Sequence, residues 1–436
     1  MKYIYGLVLV LLFLGLPSFG EDATMFRGDA QHTGVYKGAG VPQLHRVKWK
    51  FHTNGQVMSS PAVVGDTVYV GSTDHHLYAV DRGTGTLKWT FETGSRVTSS
   101  PAVAAGVVFF ESYDGIFYAV DAASGKQKWK FQTGGERRYT GKHLHGTQPT
   151  GETMPDPFDF YLSSAVVAEG ALYLGSGDGN VYALDAGSGQ LKWKFQTGNV
   201  VHASPAFADG TLFVGSWDSY FYALDASTGK EKWRFKTGED PEIHNQVGLQ
   251  ASAAVADGVV YFGCRDSNFY AVDASTGQKK WVFNNKGSWV IGSAAVQNGK
   301  VYFATSDSGL FYALDAQSGA LLFSFDSNHW PMFSSPTIAS NMLYIGTHEG
   351  KLMAVDLTSH TPAWTFATDG SRANGPSYTK PDGSPKYEAA FSDDFYEDIV
   401  IGVQKMMSVG AILSSPVVVD GVIYFGSADG NLYALM

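Results

Sequence analysis

Short runs of β-branched and aromatic residues recur along most of the chain and are separated by Gly, Asp and Ser. The stretch 204–233 contains such runs at 205–208, 211–215 and 220–225 and leads into a fourth at 230–235. Runs of this length and composition are typical of β-strands, and the residues between them favour tight turns. The pattern predicts a four-stranded antiparallel meander, which cannot bury both of its faces alone.

The same unit recurs eight times along the chain, which is the signature of a repeat architecture. The units carry Ala-x-Asp-x-x-Thr/Ser-Gly-x-x-x-Trp, and the Trp residues of regular units lie 40 residues apart. The polar side chains satisfy backbone donors in a turn, the Gly takes a positive φ, and the Trp buries a flat surface between neighbouring units. The tryptophans predicted to pack in this way are Trp49, Trp89, Trp129, Trp193, Trp233, Trp281 and Trp364.

The first and last units are incomplete in complementary ways. Residues 45–51 look like a fourth strand without its first three, and the last unit, 414–436, stops after its third strand. Pairing the two closes a ring and removes exposed sheet edges. We predict an all-β fold, an eight-bladed β-propeller of four-stranded antiparallel blades, in which strand 45–51 pairs with 431–436. The propeller then spans 45–436 and follows an N-terminal lead-in at 21–44.

Residues 1–20 have the features of a secretory signal peptide. Lys2 precedes an apolar core that ends at Leu16, and small residues up to Gly20 offer a cleavage site. The core is too short to span a membrane, so we expect cleavage near Gly20 and a periplasmic or secreted protein. Because Cys264 is the single cysteine, we expect no lipid anchor and no intrachain disulfide. We also expect no transmembrane span and a monomeric protein.

The charge balance argues against one class of partner. The chain has 31 Lys and Arg against 41 Asp and Glu, a formal net charge of −10, and no Lys/Arg-rich run. A nucleic-acid-binding protein normally presents a basic surface. Nucleic acid is therefore not expected as a partner.

The repeated Asp-x-x-Thr/Ser-Gly-x-x-x-Trp sequence resembles the tryptophan-docking motif of the pyrroloquinoline-quinone (PQQ)-type propeller repeats, and the resemblance covers nearly all of 45–436. Two classes of protein are known in this repeat family. Quinoprotein dehydrogenases hold PQQ and a calcium or lanthanide ion on the propeller axis. Outer-membrane assembly lipoproteins of the BamB type use the same eight blades as a non-catalytic scaffold that binds proteins.

The resemblance leaves two functions open. The length, the blade count and the export signal favour an exported, non-catalytic scaffold that binds an envelope protein or a small ligand, with outer-membrane protein assembly as one candidate role. The alternative is a PQQ- and calcium-dependent dehydrogenase that oxidises an alcohol or a sugar. A single cysteine cannot form the adjacent pair that packs on the quinone in many such enzymes. No Glu, Asn and Asp ligand set can be matched by position to that family, and Glu152, Asn245 and Asp266 are the candidates to test for this function.

Three insertions, 134–160, 239–250 and 367–412, interrupt the repeats. Each falls between a fourth strand and the next first strand, so all three lie on one face of the predicted disc, around its axis. Long loops on a rigid scaffold commonly carry binding residues. Adjacent arginines at 137 and 138 suit a carboxylate or phosphate, or neutralise nearby acidic loops. The predicted binding-face residues are Arg137, Arg138, His143, His145, Trp217, His244, Asn245, Arg265, Trp289 and Trp330.

Carboxylates on the same face offer a candidate metal site. An oxygen-rich set suits calcium or magnesium, and the alternative is a solvated loop surface. An acid also recurs in the second-to-third strand turn of every unit, and we interpret it as a cap of its own turn. The candidate metal ligands are Glu152, Asp156, Asp159, Asp393 and Asp394.

Overall fold

Eight blades of four antiparallel strands, one of them extended by a fifth strand, surround a common axis in the computed structural model, which describes residues 22–142, 144, 147–238 and 248–436. The innermost strands of neighbouring sheets contact one another around the ring. The predicted all-β, eight-bladed propeller is confirmed. The predicted signal peptide and four of the predicted binding-face residues lie outside the described residues, namely His143, His145, His244 and Asn245.

Each blade runs from its innermost strand to its outermost strand in chain order. Two strands, β1 (Val35–Tyr36) and β2 (Val47–His52), precede the first complete blade. Blade 1 contains β3 (Ala62–Val64), β4 (Thr67–Gly71), β5 (His76–Asp81) and β6 (Leu87–Glu92); blade 2 contains β7 (Ala102–Ala104), β8 (Val107–Ser112), β9 (Ile116–Asp121) and β10 (Gln127–Gln132). A small hairpin, β11 (Thr140–Gly141) and β12 (Met154–Pro155), follows. Blade 3 contains β13 (Val166–Ala168), β14 (Ala171–Gly175), β15 (Asn180–Asp185) and β16 (Leu191–Gln196); blade 4 contains β17 (Ala206–Ala208), β18 (Thr211–Gly215), β19 (Tyr220–Asp225) and β20 (Glu231–Lys236).

The remaining blades repeat this order. Blade 5 contains β21 (Ala254–Ala256), β22 (Val259–Gly263), β23 (Asn268–Asp273) and β24 (Lys279–Asn284); blade 6 contains β25 (Ala295–Gln297), β26 (Lys300–Ala304), β27 (Leu310–Asp315) and β28 (Leu321–Asp326). Blade 7 contains β29 (Thr337–Ala339), β30 (Met342–Gly346), β31 (Lys351–Asp356) and β32 (Thr361–Ala367). Blade 8 contains β33 (Val417–Val419), β34 (Val422–Gly426) and β35 (Asn431–Leu435).

Blade 8 is completed by the N-terminal strand β2. This strand pairs antiparallel with β35, with Trp49 opposite Ala434. The closure predicted from the incomplete first and last units is therefore confirmed. The lead-in adds a strand that the repeat pattern did not predict, because β1 pairs in parallel with β29 and extends blade 7 to five strands.

The repeated tryptophans connect most blades to the next, and Trp364 of blade 7 connects to Val41 of the lead-in. The indole N–H of Trp233 donates to the carbonyl oxygen of Ala274 at 3.0 Å. Gly277 has φ +70, and a Cβ added there would lie 2.6 Å from the Trp233 ring, so only glycine permits this approach. Equivalent indole hydrogen bonds to a main-chain carbonyl, at 2.9–3.2 Å, are made by Trp49, Trp89, Trp129, Trp193, Trp281 and Trp364.

The acids of the second-to-third strand turns cap those turns. One oxygen of Asp218 accepts from the Tyr220 amide at 2.9 Å. The other accepts from the Gly198 amide and the Tyr222 hydroxyl, both at 2.7 Å, and so ties the turn to the connection from the preceding blade. The turn-cap interpretation therefore holds for Asp218 and for the acids with the same bonds, Asp74, Asp114, Asp178, Asp266 and Asp429.

The third insertion folds into three helices, which the sequence pattern did not predict. These are α1 (Asp369–Tyr378), α2 (Tyr387–Ala390) and α3 (Tyr396–Met407). Helix α3 buries Val403, Met406 and Met407 against the propeller, and Ile401 on its other side is exposed. No helix within the described ranges combines the length and apolar character needed to cross a bilayer.

Candidate functional site on the propeller axis

A ring of eight serines surrounds the axis just before the innermost strands. The amide of Ser60 in blade 1 donates to the hydroxyl of Ser100 in blade 2 at 2.9 Å, and equivalent bonds of 2.8–3.3 Å continue around the ring. These serines line a central cavity of about 40 Å³, which has room for a few water molecules. The ring consists of Ser60, Ser100, Ser164, Ser204, Ser252, Ser293, Ser335 and Ser415.

The lead-in closes one end of this channel, opposite the insertions. Phe26 lines the central cavity. Buried Arg27 donates to the carbonyl oxygens of Ala294 at 2.8 Å and Pro336 at 2.7 Å. Carbonyls of the lead-in also accept from amides of the innermost strands, as in the bond from Phe207 to Ala30 at 2.7 Å. We call this end the lead-in face.

The first insertion closes the other end, which we call the insertion face because the insertions meet there. Its last residues, 156–161, lie over the axis. The Phe158 ring packs edge-on against Trp289 with centroids 5.7 Å apart. The Tyr161 hydroxyl donates to the Leu413 carbonyl oxygen at 3.2 Å. Side chains of the chain itself therefore fill the mouth of the channel.

Arg265 lies between two tryptophans on this face. Its guanidinium carbon is 4.3 Å from the ring centroids of both Trp217 and Trp289. Nη1 donates to the Asp156 carboxylate at 2.6 Å, and Nη2 donates to Gln250 Oε1, also at 2.6 Å. The Arg265 and Asp156 side chains are each 1% exposed. The ion pair thus locks the first insertion onto blade 5, with the positive charge held by both aromatic faces.

A second buried ion pair surrounds His202 of the channel wall. Its Nδ1 lies 2.7 Å from Asp159, and its Nε2 lies 3.3 Å from Glu136, with all three side chains fully buried. Burial alone would lower the pKa of His202, but the Asp159 and Glu136 carboxylates outweigh it and raise the pKa to about 10. His202 is therefore an imidazolium at neutral pH, held between two acids of the first insertion.

Glu111 adds a further acid beside this group. Burial, and then the neighbouring Glu136 carboxylate, raise the pKa of Glu111 well above its usual range. Most other blades have glycine at this strand position, where a Cβ would be crowded, as at Gly175, where it would lie 2.4 Å from the Val201 carbonyl oxygen. The small residues at this position are Gly71, Gly175, Gly215, Gly263, Ala304, Gly346 and Gly426.

A separate cavity of about 190 Å³ lies beneath the helical insertion. Phe158, Phe391 and Met406 form part of its wall, and His348 contributes a buried imidazole. Burial lowers the pKa of His348 to about 3, so this histidine is neutral at physiological pH. The cavity wall is therefore largely apolar, with the neutral His348 imidazole, Asp307 and Tyr387 as its polar side chains among the described residues.

Several predicted binding-face residues meet on the insertion face. Trp217, Arg265 and Trp289 form the stack described above. Trp330 is buried, and its indole N–H donates to the Gly383 carbonyl oxygen at 2.9 Å, so it anchors the helical insertion. These four residues contact other parts of the chain, and their role toward a ligand stays a prediction.

The candidate metal ligands are dispersed. Asp156 and Asp159 are buried and pair with Arg265 and His202, whereas the other three are exposed. No group of three or more His, Cys, Asp or Glu is arranged to hold a metal ion in the part of the chain that the structure describes. The metal site therefore stays a prediction, and its exposed members are Glu152, Asp393 and Asp394.

The volume of the axial cavity can be compared with the space that PQQ, the cofactor implied by the family resemblance, would need. Ligand pockets for small organic molecules commonly have volumes of about 300–1,000 Å³. The axial cavity is about 40 Å³, and the stack above it is already occupied by Arg265 and its partner Asp156. The residues in this arrangement leave no room for PQQ on the axis.

Eight closed blades joined by repeated Trp-to-carbonyl bonds define a PQQ-type β-propeller. The family model described as "Outer membrane protein assembly factor BamB" matches residues 43–150, 151–286 and 270–381. The chain belongs to this family of PQQ-like propellers, as the repeat sequence predicted. No curated protein matches the chain significantly.

Solved structures of both classes share the fold. BamB from Moraxella catarrhalis is 15% identical, with a TM-score of 0.63, covering 90% of this chain and 97% of that one. Quinohemoprotein alcohol dehydrogenase from Comamonas testosteroni is 15% identical, with a TM-score of 0.68, covering 95% and 80%. A europium-containing methanol dehydrogenase is 15% identical, with a TM-score of 0.68, covering 95% and 98%. Likeness at this identity concerns the fold alone.

Proposed function

We propose that the protein is an exported, non-catalytic scaffold whose insertion face binds an envelope protein or a small ligand. The observation that carries the proposal is that the first insertion fills the axial mouth while the third presents apolar side chains to solvent. Tyr387, Phe395 and Ile401 are 39%, 51% and 47% exposed. Exposed apolar groups on one side of a rigid scaffold suit contact with a partner.

The family assignment supports the same role. The matching family model is described as an outer membrane protein assembly factor, and assembly of envelope proteins is the role that we propose first. The signal predicted in 1–20 would deliver the chain to the periplasm. We propose that the mature protein acts there as a monomer.

Site-specific photo-crosslinking tests the scaffold function. A benzophenone amino acid at Phe395 should give a discrete cross-linked product with an envelope protein. The same group at Leu191, which is 47% exposed on the outer strand of blade 3, is the matched control. Equal products from both positions, or none from Phe395, would count against the insertion face as the binding surface.

The runner-up function is a PQQ- and calcium-dependent dehydrogenase. The propeller fold shared with a solved methanol dehydrogenase is the observation that favours it, and PQQ binding on the axis would require the stack around Arg265 to open. Of its candidate ligands, Asp266 is buried and accepts from Tyr270, whereas Glu152 is exposed. The test is to add PQQ and calcium to the purified protein, then record quinone absorbance and dye-linked oxidation of alcohols and sugars. Turnover would replace the scaffold proposal with the enzymatic one.

A further inference from the structure

Two arginines face the same small cavity between the first insertion and helix α3. The cavity is about 100 Å³, and Arg96 and Arg138 form part of its wall. Arg96 belongs to the connection between blades 1 and 2, and its guanidinium carbon lies 4.2 Å from the Tyr113 ring centroid. Arg138 belongs to the first insertion. Together with the connection before blade 1, which supplies Gln56 and Met58, four separate parts of the chain build one cavity with two cations.

Neither arginine forms an ion pair with a carboxylate in the part of the chain that the structure describes, and the buried Nε of Arg138 has no hydrogen-bond acceptor there. Burial lowers the pKa of Arg96; among the nearby groups Tyr113 and Asp159 raise it, and the charge of Arg138 lowers it. Asp159 pairs with His202 rather than with either arginine. Two like charges without a directly paired carboxylate favour an anion between them.

The other side chains of the cavity wall indicate the chemistry of the rest of the ligand. Met58, Phe160, Val403 and Met407 supply apolar surface, and the only other polar side chains of the wall are carboxamides. Arginine pairs with planar carboxylates through two parallel hydrogen bonds. A volume of about 100 Å³, well below that of sites for drug-sized molecules, limits the ligand to a few atoms beyond the carboxylate.

We propose that this cavity binds a short-chain organic carboxylate, with the anionic group at Arg96 and Arg138 and the alkyl chain against Met58 and Met407. This inference rests on the proposed binding role of the insertion face, for which it names a ligand class. The site lies beside the axis, beneath helix α3, and is distinct from the stack around Arg265.

The first test follows butyrate by NMR of the full chain labelled at methionine methyl groups. Butyrate should shift the Met58 signal saturably and shift Met406, which lines the other cavity and not this one, much less; Met407 borders both cavities and does not discriminate between them. The neutral isostere butyramide should bind at least tenfold more weakly. Equal binding of butyramide, or shifts confined to Met406, would overturn the proposal. Inorganic phosphate serves as a second probe, and tighter binding of phosphate than of butyrate would overturn the carboxylate assignment.

Variants then assign the charge. Arg138→Met should weaken butyrate binding at least tenfold, whereas Arg137→Met, at the exposed neighbouring position, should change it less than twofold. Arg96 itself is not replaced, because its substitution would also remove its packing on Tyr113. The second variant changes Gln404 instead. Gln404→Glu, at an exposed position in the cavity wall, supplies an internal carboxylate and should abolish binding. Unchanged affinity in Arg138→Met and Gln404→Glu would refute the site.

The cross-linking experiment separates this proposal from the scaffold function. If butyrate does not bind but the group at Phe395 still captures its partner, only the carboxylate site fails. If butyrate binds and Phe395 captures nothing, the site stands as a small-ligand site and the protein-scaffold role fails.

Discussion

The two ends of the propeller channel are closed in different ways. At the lead-in face, carbonyls of the lead-in accept hydrogen bonds from the innermost strands, as Ala30 accepts from Phe207. At the insertion face, closure depends on side chains, chiefly the buried pairs of Asp156 with Arg265 and Asp159 with His202. The first kind of closure uses groups that every blade possesses, whereas the second uses residues found once.

The lead-in face is therefore held by contacts that belong to the fold, whereas the insertion face is held by charged residues that are candidates for a functional role. Backbone bonds repeat with the blades and are therefore insensitive to most substitutions. Buried charges depend on each partner, because removing one leaves the other without compensation in a low-dielectric interior. We expect substitutions and pH to affect the insertion face more strongly than the lead-in face.

Asp156→Ala should have the largest effect. It leaves the buried Arg265 guanidinium without its carboxylate, which typically costs about 3–5 kcal/mol of the free energy of unfolding. Urea denaturation followed by tryptophan fluorescence measures the change. Asp394→Ala, at an exposed position, is the control and should change stability by less than about 0.5 kcal/mol.

The double substitution Asp156→Ala with Arg265→Met sharpens this result. Because it removes both charges, it should be less destabilising than Asp156→Ala alone. If the two variants are equally unstable, lost packing rather than an uncompensated charge is responsible.

Alkaline pH should weaken the insertion face next most strongly. The folded-state pKa of His202 is raised to about 10, above the unfolded value of about 6.5. Its stabilisation is therefore complete below about pH 6.5 and is lost as pH rises toward 10. The free energy of unfolding should fall across this window, and His202→Gln should flatten the fall. An unchanged slope in His202→Gln would contradict the assignment.

His348 provides a control, because its pKa is shifted in the opposite direction from that of His202. Its pKa is lowered to about 3, so its contribution is present above about pH 6.5 and is lost as pH falls toward 3. His348→Gln should therefore alter the acid limb of the stability curve and leave the limb between pH 6.5 and 10 unchanged.

Arg27→Met tests the lead-in face and should have a smaller effect than Asp156→Ala. It removes the hydrogen bonds to Ala294 and Pro336 but also removes a cation whose burial is costly. We expect a loss of about 1–3 kcal/mol in the free energy of unfolding. Arg46→Met, at an exposed position, should be nearly neutral. A loss as large as that of Asp156→Ala would remove the proposed distinction between the faces.

The repeat sequence was sufficient to predict the blades, because every unit obeys the same alternation and turn chemistry. It predicted neither the closure of the lead-in face nor the helices of 367–412, since both occur once and no period describes them. Trp217 and Trp289 were predicted as part of a ligand-binding face, which stays a prediction, whereas the pairing of Asp156 with the arginine between them was not predicted. Contacts between distant loops carry no local sequence signal.

The buried group around His202 was not predicted for a related reason, although Asp159 was named as a candidate metal ligand and one further signal was available. Glu111 stands where the other blades have glycine or alanine, so comparison of the repeats at that position identifies it. Glu136 and Asp159 lie in the first insertion, where no second copy provides a reference. Departures from the repeat at a sterically restricted position are therefore more informative than motifs within the loops.

The serine ring lies between the two closures, and Ser204→Ala should have the smallest effect. It removes the hydroxyl that accepts from the Ser164 amide at 2.9 Å. A lost buried hydrogen bond costs about 1 kcal/mol on average, and the adjoining cavity lets a water molecule replace the hydroxyl. Urea denaturation should show a loss of about 1 kcal/mol, against almost none for Ser227→Ala in an exposed turn. A loss above about 3 kcal/mol would mean that the ring, rather than the charged pairs, is the main restraint on the channel.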